Sequence, residues 1–258
     1  MQPAFDLYVR RDTWLQELDP RVKLFFLAVA TALLFLWPLS WVAIAMALIC
    51  TGLLRAARVP WAQIGSVWRA MAMLAAMVIV LTAIFGGLGG AVLLQVGPIA
   101  ITAGSLSQGL LLASRLVALA LVFACWLYTT DQSAMVRGFV ALGMPYEWGL
   151  TLALALRYLP IFASLYGQVR DAQQARGLDL SHGGLWARLR ALQPVLIAMI
   201  ITALRNSEHL GWALESRALG ARDVRRTVFR PLHMRSLDWL AIGVLAAVML
   251  VAGLLRLV

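Results

Sequence analysis

Apolar residues are gathered into long runs at 22–37, 41–54, 70–85 and 106–128, with another at 237–255. A bilayer's hydrocarbon core is about 30 Å thick, which a helix of roughly 20 apolar residues crosses. Each run is therefore read as a membrane helix. Pro38 and Ser40 separate the first two, which predicts a tight helical hairpin. The segment 55–69 carries three arginines and no acid, whereas GGLGG at 86–90 opens a stretch without charge up to Arg115. Two shorter runs, 149–163 and 191–204, hold Pro160 and Pro194. They are expected to be helices lying at the membrane face, each followed by a more polar helix.

Composition agrees with this pattern. Hydrophobic residues make up 62% and charged residues 13% of the chain, where a soluble domain has about 25% charged. The expected class is all-α: a polytopic helical membrane protein with about five transmembrane helices and a cytoplasmic, interfacial helical region. Three segments follow: membrane helices over 1–130, a cytoplasmic region over 131–235, and a last membrane helix over 236–258.

The net charge of +10 comes from 22 basic and 12 acidic residues, and Lys23 is the one lysine. Arginine in short loops fixes membrane orientation. The arginine-rich 55–69 segment is then cytoplasmic and the uncharged 86–105 segment external, with the N-terminus inside. Nucleic acid is excluded as a partner, because no basic stripe is interleaved with exposed aromatics. Cys50 and Cys125 lie within apolar runs and show no disulfide or metal spacing. His182, His209 and His233 are isolated, without metal-ligand spacing. The acidic N-terminus, with Asp6, Asp12, Glu17 and Asp19, is unlike a cleavable signal peptide. No cofactor is implied.

The region 131–235 holds 13 arginines and 7 acids. Two stretches in it match. Ala172-Gln-Gln-Ala175-Arg176-Gly177 aligns with Ala213-Leu-Glu-Ser216-Arg217-Ala218, and the two arginines are 41 positions apart. Guanidinium is always charged and can pair with a carboxylate through two parallel hydrogen bonds. Small flanking residues let a partner approach closely. Gly177 suits a helix C-terminus, where a cation also meets the negative end of the helix dipole. A lone Ala-Arg-Gly is ordinarily a solvated helix end. Two, each after an apolar run, point to docking in a partner's groove. Alanine takes the left-handed conformation less readily than glycine, so the second helix end is expected to differ from the first.

In order along the chain, LDPRVKLF at 18–25, Thr129-Thr130, LGMPYEWGLTLALALRYLP at 142–160, the two arginine stretches, Gly220 and Arg226-Thr227 resemble the transmembrane T component of energy-coupling factor (ECF) transporters, the EcfT/CbiQ family. The resemblance implies a scaffold in the prokaryotic inner membrane. It implies that the scaffold joins two cytoplasmic ABC ATPase subunits to a substrate-binding membrane protein, the S component, for uptake of a vitamin or a transition-metal ion. It also implies that Ala175, Arg176 and Gly177, and Ser216, Arg217 and Ala218, form the ATPase-docking tips. The second triplet departs from the family's Ala-Arg-Gly. The residues agree on one point independently: a phosphate-binding P-loop needs Gly-Lys-Ser/Thr, and Lys23 follows Asp-Pro-Arg-Val. Any ATP hydrolysis therefore belongs to another chain.

Two rivals stand beside this reading. Asp171-Ala-x-x-Ala-Arg176 partly matches the signature of CDP-alcohol phosphotransferases, but that chemistry needs several carboxylates for its metal ions, and position 168 is Gln. A permease subunit of an ordinary ABC importer would normally present one coupling element per chain rather than two.

Overall fold

The computed structural model describes residues 13–86, 91–96, 99–178, 184–220 and 232–257. After a short α1 (Trp14–Glu17) come α2 (Pro20–Leu36), α3 (Ser40–Ala56) and α4 (Trp61–Phe85). A two-stranded antiparallel hairpin, β1 (Val92–Val96) and β2 (Ile99–Thr102), leads into α5 (Ala103–Thr129). α6 (Gln132–Ala141), α7 (Tyr146–Ala175), α8 (Leu185–Glu215) and α9 (Ser236–Leu257) complete the order. The described residues are thus all-α apart from the hairpin, which occupies part of the uncharged segment read as a loop.

Two compact units are distinguished. The described residues of Asp6–Gly149 and Leu232–Val258 form one, built around α5. Its start is fixed by a reciprocal cap, in which the Ser105 amide donates to Thr102 Oγ1 and the Thr102 amide to Ser105 Oγ, both at 3.2 Å. This satisfies donors that a helix N-terminus leaves open. Ala118, Leu121, Val122 and Cys125 of α5 meet Ala43, Ala47, Cys50 and Leu54 of α3, with Ala30 and Leu34 of α2 in the same core. Small residues at these contacts let helices approach closely, as membrane helix packing requires. Gly109 of α5 lies against Thr82 and Ile79 of α4, where a β-carbon would collide.

The start of α2 is also set locally. Asp19 caps it, accepting from the Arg21 amide at 2.9 Å, and Pro20 occupies the first turn. The Asp19 amide in turn donates to Asp238 Oδ1 at 3.0 Å. The other Asp238 oxygen accepts from the Arg235 amide at 2.8 Å, closing the first turn of α9. Lys23 Nζ donates to the carbonyls of Gln16 (3.2 Å) and Thr129 (2.8 Å). The LDPRVK segment therefore knots the starts of α2 and α9 to the end of α5.

The described residues of Leu150–Pro231 form the other unit. Here the structure differs in helix length from the short helices expected at 149–163 and 191–204, each of which runs without a break into the more polar stretch expected as a separate helix. α7 continues for 30 residues through Pro160, and α8 for 31 residues through Pro194. A proline removes one backbone bond. In an apolar medium, however, ending the helix would strand several more polar groups, and this favours continuation.

Among the described residues, five helices are long and apolar enough to cross a membrane: α4, α5, α7, α8 over Arg188–Glu215, and α9 over Ser236–Leu254. α2 and α3, expected as spans, have 17 residues each. At about 1.5 Å per residue they reach some 25 Å. The basic 55–69 segment is mostly helical; residues 57–60 alone separate α3 from α4, and Arg55 lies 4.3 Å over the Trp61 ring. Large apolar side chains such as Met73 (81% exposed) and Leu250 (67%) face outward, as a lipid-facing surface demands.

Candidate docking tips

The two arginine stretches fold into the same helix end. α7 stops at Ala175, and Gly177 has φ +88°. The Gly177 amide donates to the Gln174 carbonyl at 2.9 Å, and the Leu178 amide to the Gln173 carbonyl at 3.0 Å. This nested pair is a Schellman motif, which satisfies carbonyls at the end of a helix. α8 stops at Glu215, and Ala218 has φ +57°. The Ala218 amide donates to the Glu215 carbonyl at 2.9 Å, and the Leu219 amide to the Leu214 carbonyl at 3.0 Å.

Position by position the two ends superimpose in role. Arg176 and Arg217 each stand just before the left-handed residue. The exposure pattern is also shared: 174–177 and 215–218 are exposed, while Gln173 and Leu178, like Leu214 and Leu219, are half-buried. The expectation that Ala218 would alter the second helix end is therefore corrected. Alanine adopts the left-handed conformation at a cost of about 1–2 kcal/mol, and the two nested hydrogen bonds hold it there. A β-carbon at Gly177 would meet nothing within 4 Å, so the glycine answers a backbone need rather than a shortage of space.

Neither guanidinium has a hydrogen-bond or ion-pair partner among the described residues. Each is an exposed cation at the carbonyl end of its own long helix, available to an external carboxylate. Ser216 differs from its counterpart Ala175 by a hydroxyl that donates back to the Ala213 carbonyl at 3.0 Å, which leaves the arginine's position unchanged. No hydrogen bond among the described residues joins one tip to the other. Asp179 and Leu180, just past the first tip, and Arg226-Thr227 lie outside the described residues.

The Schellman backbone is not confined to these tips. α3 ends with Arg58 left-handed (φ 56°) and α6 with Gly143 (φ 112°), each with the same two bonds. There the residue before the left-handed position is Ala57, fully buried, or Leu142. An arginine at that place is what distinguishes the ends of α7 and α8.

The model of the CbiQ family, described as cobalt transport protein, matches residues 11–225. The chain belongs to the CbiQ family, the transmembrane T components of ECF transporters. The match includes both arginine tips. Among similar proteins are ECF transporter transmembrane proteins EcfT from three bacteria. That of Bacillus selenitireducens is 29% identical over 245 residues, covering 92% of this chain and 91% of the relative. That of Heliobacterium modesticaldum is 28% identical over 253 residues, covering 90% and 89%. That of Thermanaerovibrio acidaminovorans is 30% identical over 261 residues, covering 96% and 93%. Family membership favours the T component over the ordinary permease.

Sequence reasoning did not anticipate the role of Asp238. It lies 219 positions from Asp19, and only an acid in the first turn of an apolar helix hinted at a cap. Nor did it foresee that LDPRVK would act as a knot between helix ends.

Proposed function

We propose that this CbiQ-family chain is a non-catalytic membrane scaffold. In this reading Arg176 and Arg217, with Ala175, Gly177, Ser216 and Ala218 around them, each dock one of two cytoplasmic ABC ATPase subunits. The membrane helices hold a substrate-binding S component, and the cargo is a vitamin or a transition-metal ion. The N-terminus and both tips then face the cytoplasm of a prokaryotic cell, with the chain in its inner membrane. The segments 1–130 and 236–258 serve as membrane helices and 131–235 as the coupling region; in this reading α7 and α8, though long and apolar enough to cross, lie at the cytoplasmic face, because two successive crossings would leave their ends on opposite sides.

The observation that carries this reading is the repetition of one exposed, arginine-bearing helix end on two long helices. A rigid tip with one fixed cation suits insertion into a groove, and two such tips suit a pair of related subunits. Movement of the subunits during ATP turnover would be passed along α7 and α8 as along levers, because every residue of a helix is tied to its neighbours by backbone bonds.

The test is co-expression with the two ATPase subunits and an S component, followed by purification through a tag on this chain. ATPases are expected to copurify with the wild type and to be lost from Arg176→Glu/Arg217→Glu at equal membrane expression. Equal recovery from both proteins would refute the docking role of the arginines.

A further inference from the structure

Arg115 stands near the middle of α5, 12 residues from its first residue and 14 from Thr129. Its guanidinium lies 5.3 Å over the ring of Phe35, and among the described residues it has no hydrogen-bond or ion-pair partner. A charged side chain within a membrane span is costly and calls for a partner.

The level of Arg115 can be read from its neighbours. At one end of the bundle, the Arg235–Glu17 ion pair (2.6 Å) is more than half exposed, and it belongs with water or headgroups. The Lys23–Thr129 and Asp19–Asp238 hydrogen bonds lie beside it. From that knot, 12 residues of α2 lead from Lys23 to Phe35, 14 of α5 from Thr129 to Arg115, and 14 of α9 from Asp238 to Ala252. The Ala252 carbonyl accepts from Trp37 Nε1 at 3.2 Å. At about 1.5 Å per residue all three paths rise only about 20 Å. The α2–α3 turn therefore ends, together with Arg115, about 10 Å short of the far surface of a 30 Å hydrocarbon core. α4 and α5, with 25 and 27 residues, continue well beyond it.

The side chains at this short end are those of a membrane interface. Trp41 is 64% exposed and Phe35 59%, Leu39 is exposed at the turn, and Trp37 follows Phe35 by two residues. Tryptophan and arginine together mark the headgroup level. A short hydrophobic segment is commonly accommodated by local thinning of the bilayer. We propose that the α2–α3 turn sits under a local depression of the bilayer, and that Arg115 anchors it by binding the phosphate of a phospholipid. Guanidinium and phosphate match in charge and in bidentate geometry, and the Phe35 ring holds the guanidinium from one side.

The test uses the full chain in dioleoylphosphatidylcholine vesicles, with a nitroxide at Leu39→Cys and, separately, at Phe85→Cys on the far end of α4. Cys50 and Cys125 are buried and take up little label. Collision with oxygen and with a water-soluble nickel complex reports depth. Both labels are expected near phosphate level, although the turn lies roughly 10 Å or more below the end of α4 along the bundle. Arg115→Leu is expected to carry the Leu39→Cys label several ångströms into hydrocarbon, and Arg115→Lys to retain its level. A label at hydrocarbon depth in the protein with Arg115 would overturn the proposal. So would a depth unaffected by Arg115→Leu, and so would loss of S-component recovery in Arg115→Leu with no change in depth, which would assign the guanidinium to a protein carboxylate.

Discussion

The ends of α7 and α8 share a backbone and differ in the residue that takes its left-handed position: Gly177, unstrained there, in one and Ala218, strained, in the other. The ends of α3 and α6 share the same backbone again, but carry Ala57 and Leu142 where the first pair carries arginine. This helix-end geometry is therefore a recurrent device in the fold, closing α3, α6, α7 and α8, whereas α2 and α5 pass into extended backbone. What varies is the cargo at its tip. At α3 the position is buried and serves packing. At α7 and α8 it is exposed, cationic and flanked by small residues, and in the proposed reading it serves recognition.

That comparison can be broken most strongly by charge. Arg176→Glu alone and Arg217→Glu alone should each weaken ATPase recovery to a similar extent. Losing one partner of a buried interfacial charge pair costs about 2–5 kcal/mol, so each affinity should fall at least tenfold in a titration of solubilised complex. A large loss from one and none from the other would make the tips unequal in function despite their matching backbones.

A smaller effect separates the tips from the knot. Asp238→Ala removes the acceptor of both the Asp19 and the Arg235 amides. Leaving a buried donor unpaired costs about 1–3 kcal/mol. The melting temperature in detergent should drop, while ATPase affinity per folded molecule stays unchanged. A matching fall in affinity would tie the docking tips to the α2–α9 contact.

The smallest effect concerns the left-handed residue. Ala218→Gly should relieve about 1 kcal/mol of strain, and Gly177→Ala should impose a similar amount. Hydrogen exchange at the Leu219 and Leu178 amides would register the change as slower and faster opening respectively. Opposite signs at the two positions would sharpen the comparison; equal signs would mean that the residue's intrinsic preference does not govern these ends.

Much of this was visible along the chain because it is local. The apolar runs announce α2, α3, α4, α5 and α9, Pro38 and Ser40 announce the break between the first two, and the paired arginines can be aligned by eye. What was not visible depends on distant or competing terms. Pro160 and Pro194 argued for broken helices, but the cost of exposing backbone in an apolar medium outweighs one lost bond. Ala218 argued for a different cap, but two nested hydrogen bonds outweigh the preference of a single residue. The pairing of Asp19 with Asp238 leaves no periodic trace, since the partners are separated by nearly the whole chain. The candidate tips were therefore legible as sequence, while their equality was legible only as backbone.

The central claim is that Arg176 and Arg217 each touch an ATPase subunit. A photoreactive amino acid placed at Glu215 and, separately, at Gln174, each two residues before its tip's arginine, would test it in membranes holding the full complex. Both positions are exposed and neither bears the docking charge. The account predicts one crosslinked ATPase subunit from each position, with both products abolished by reversing the adjacent arginine. Crosslinks to lipid or to the S component alone, from either position, would contradict it.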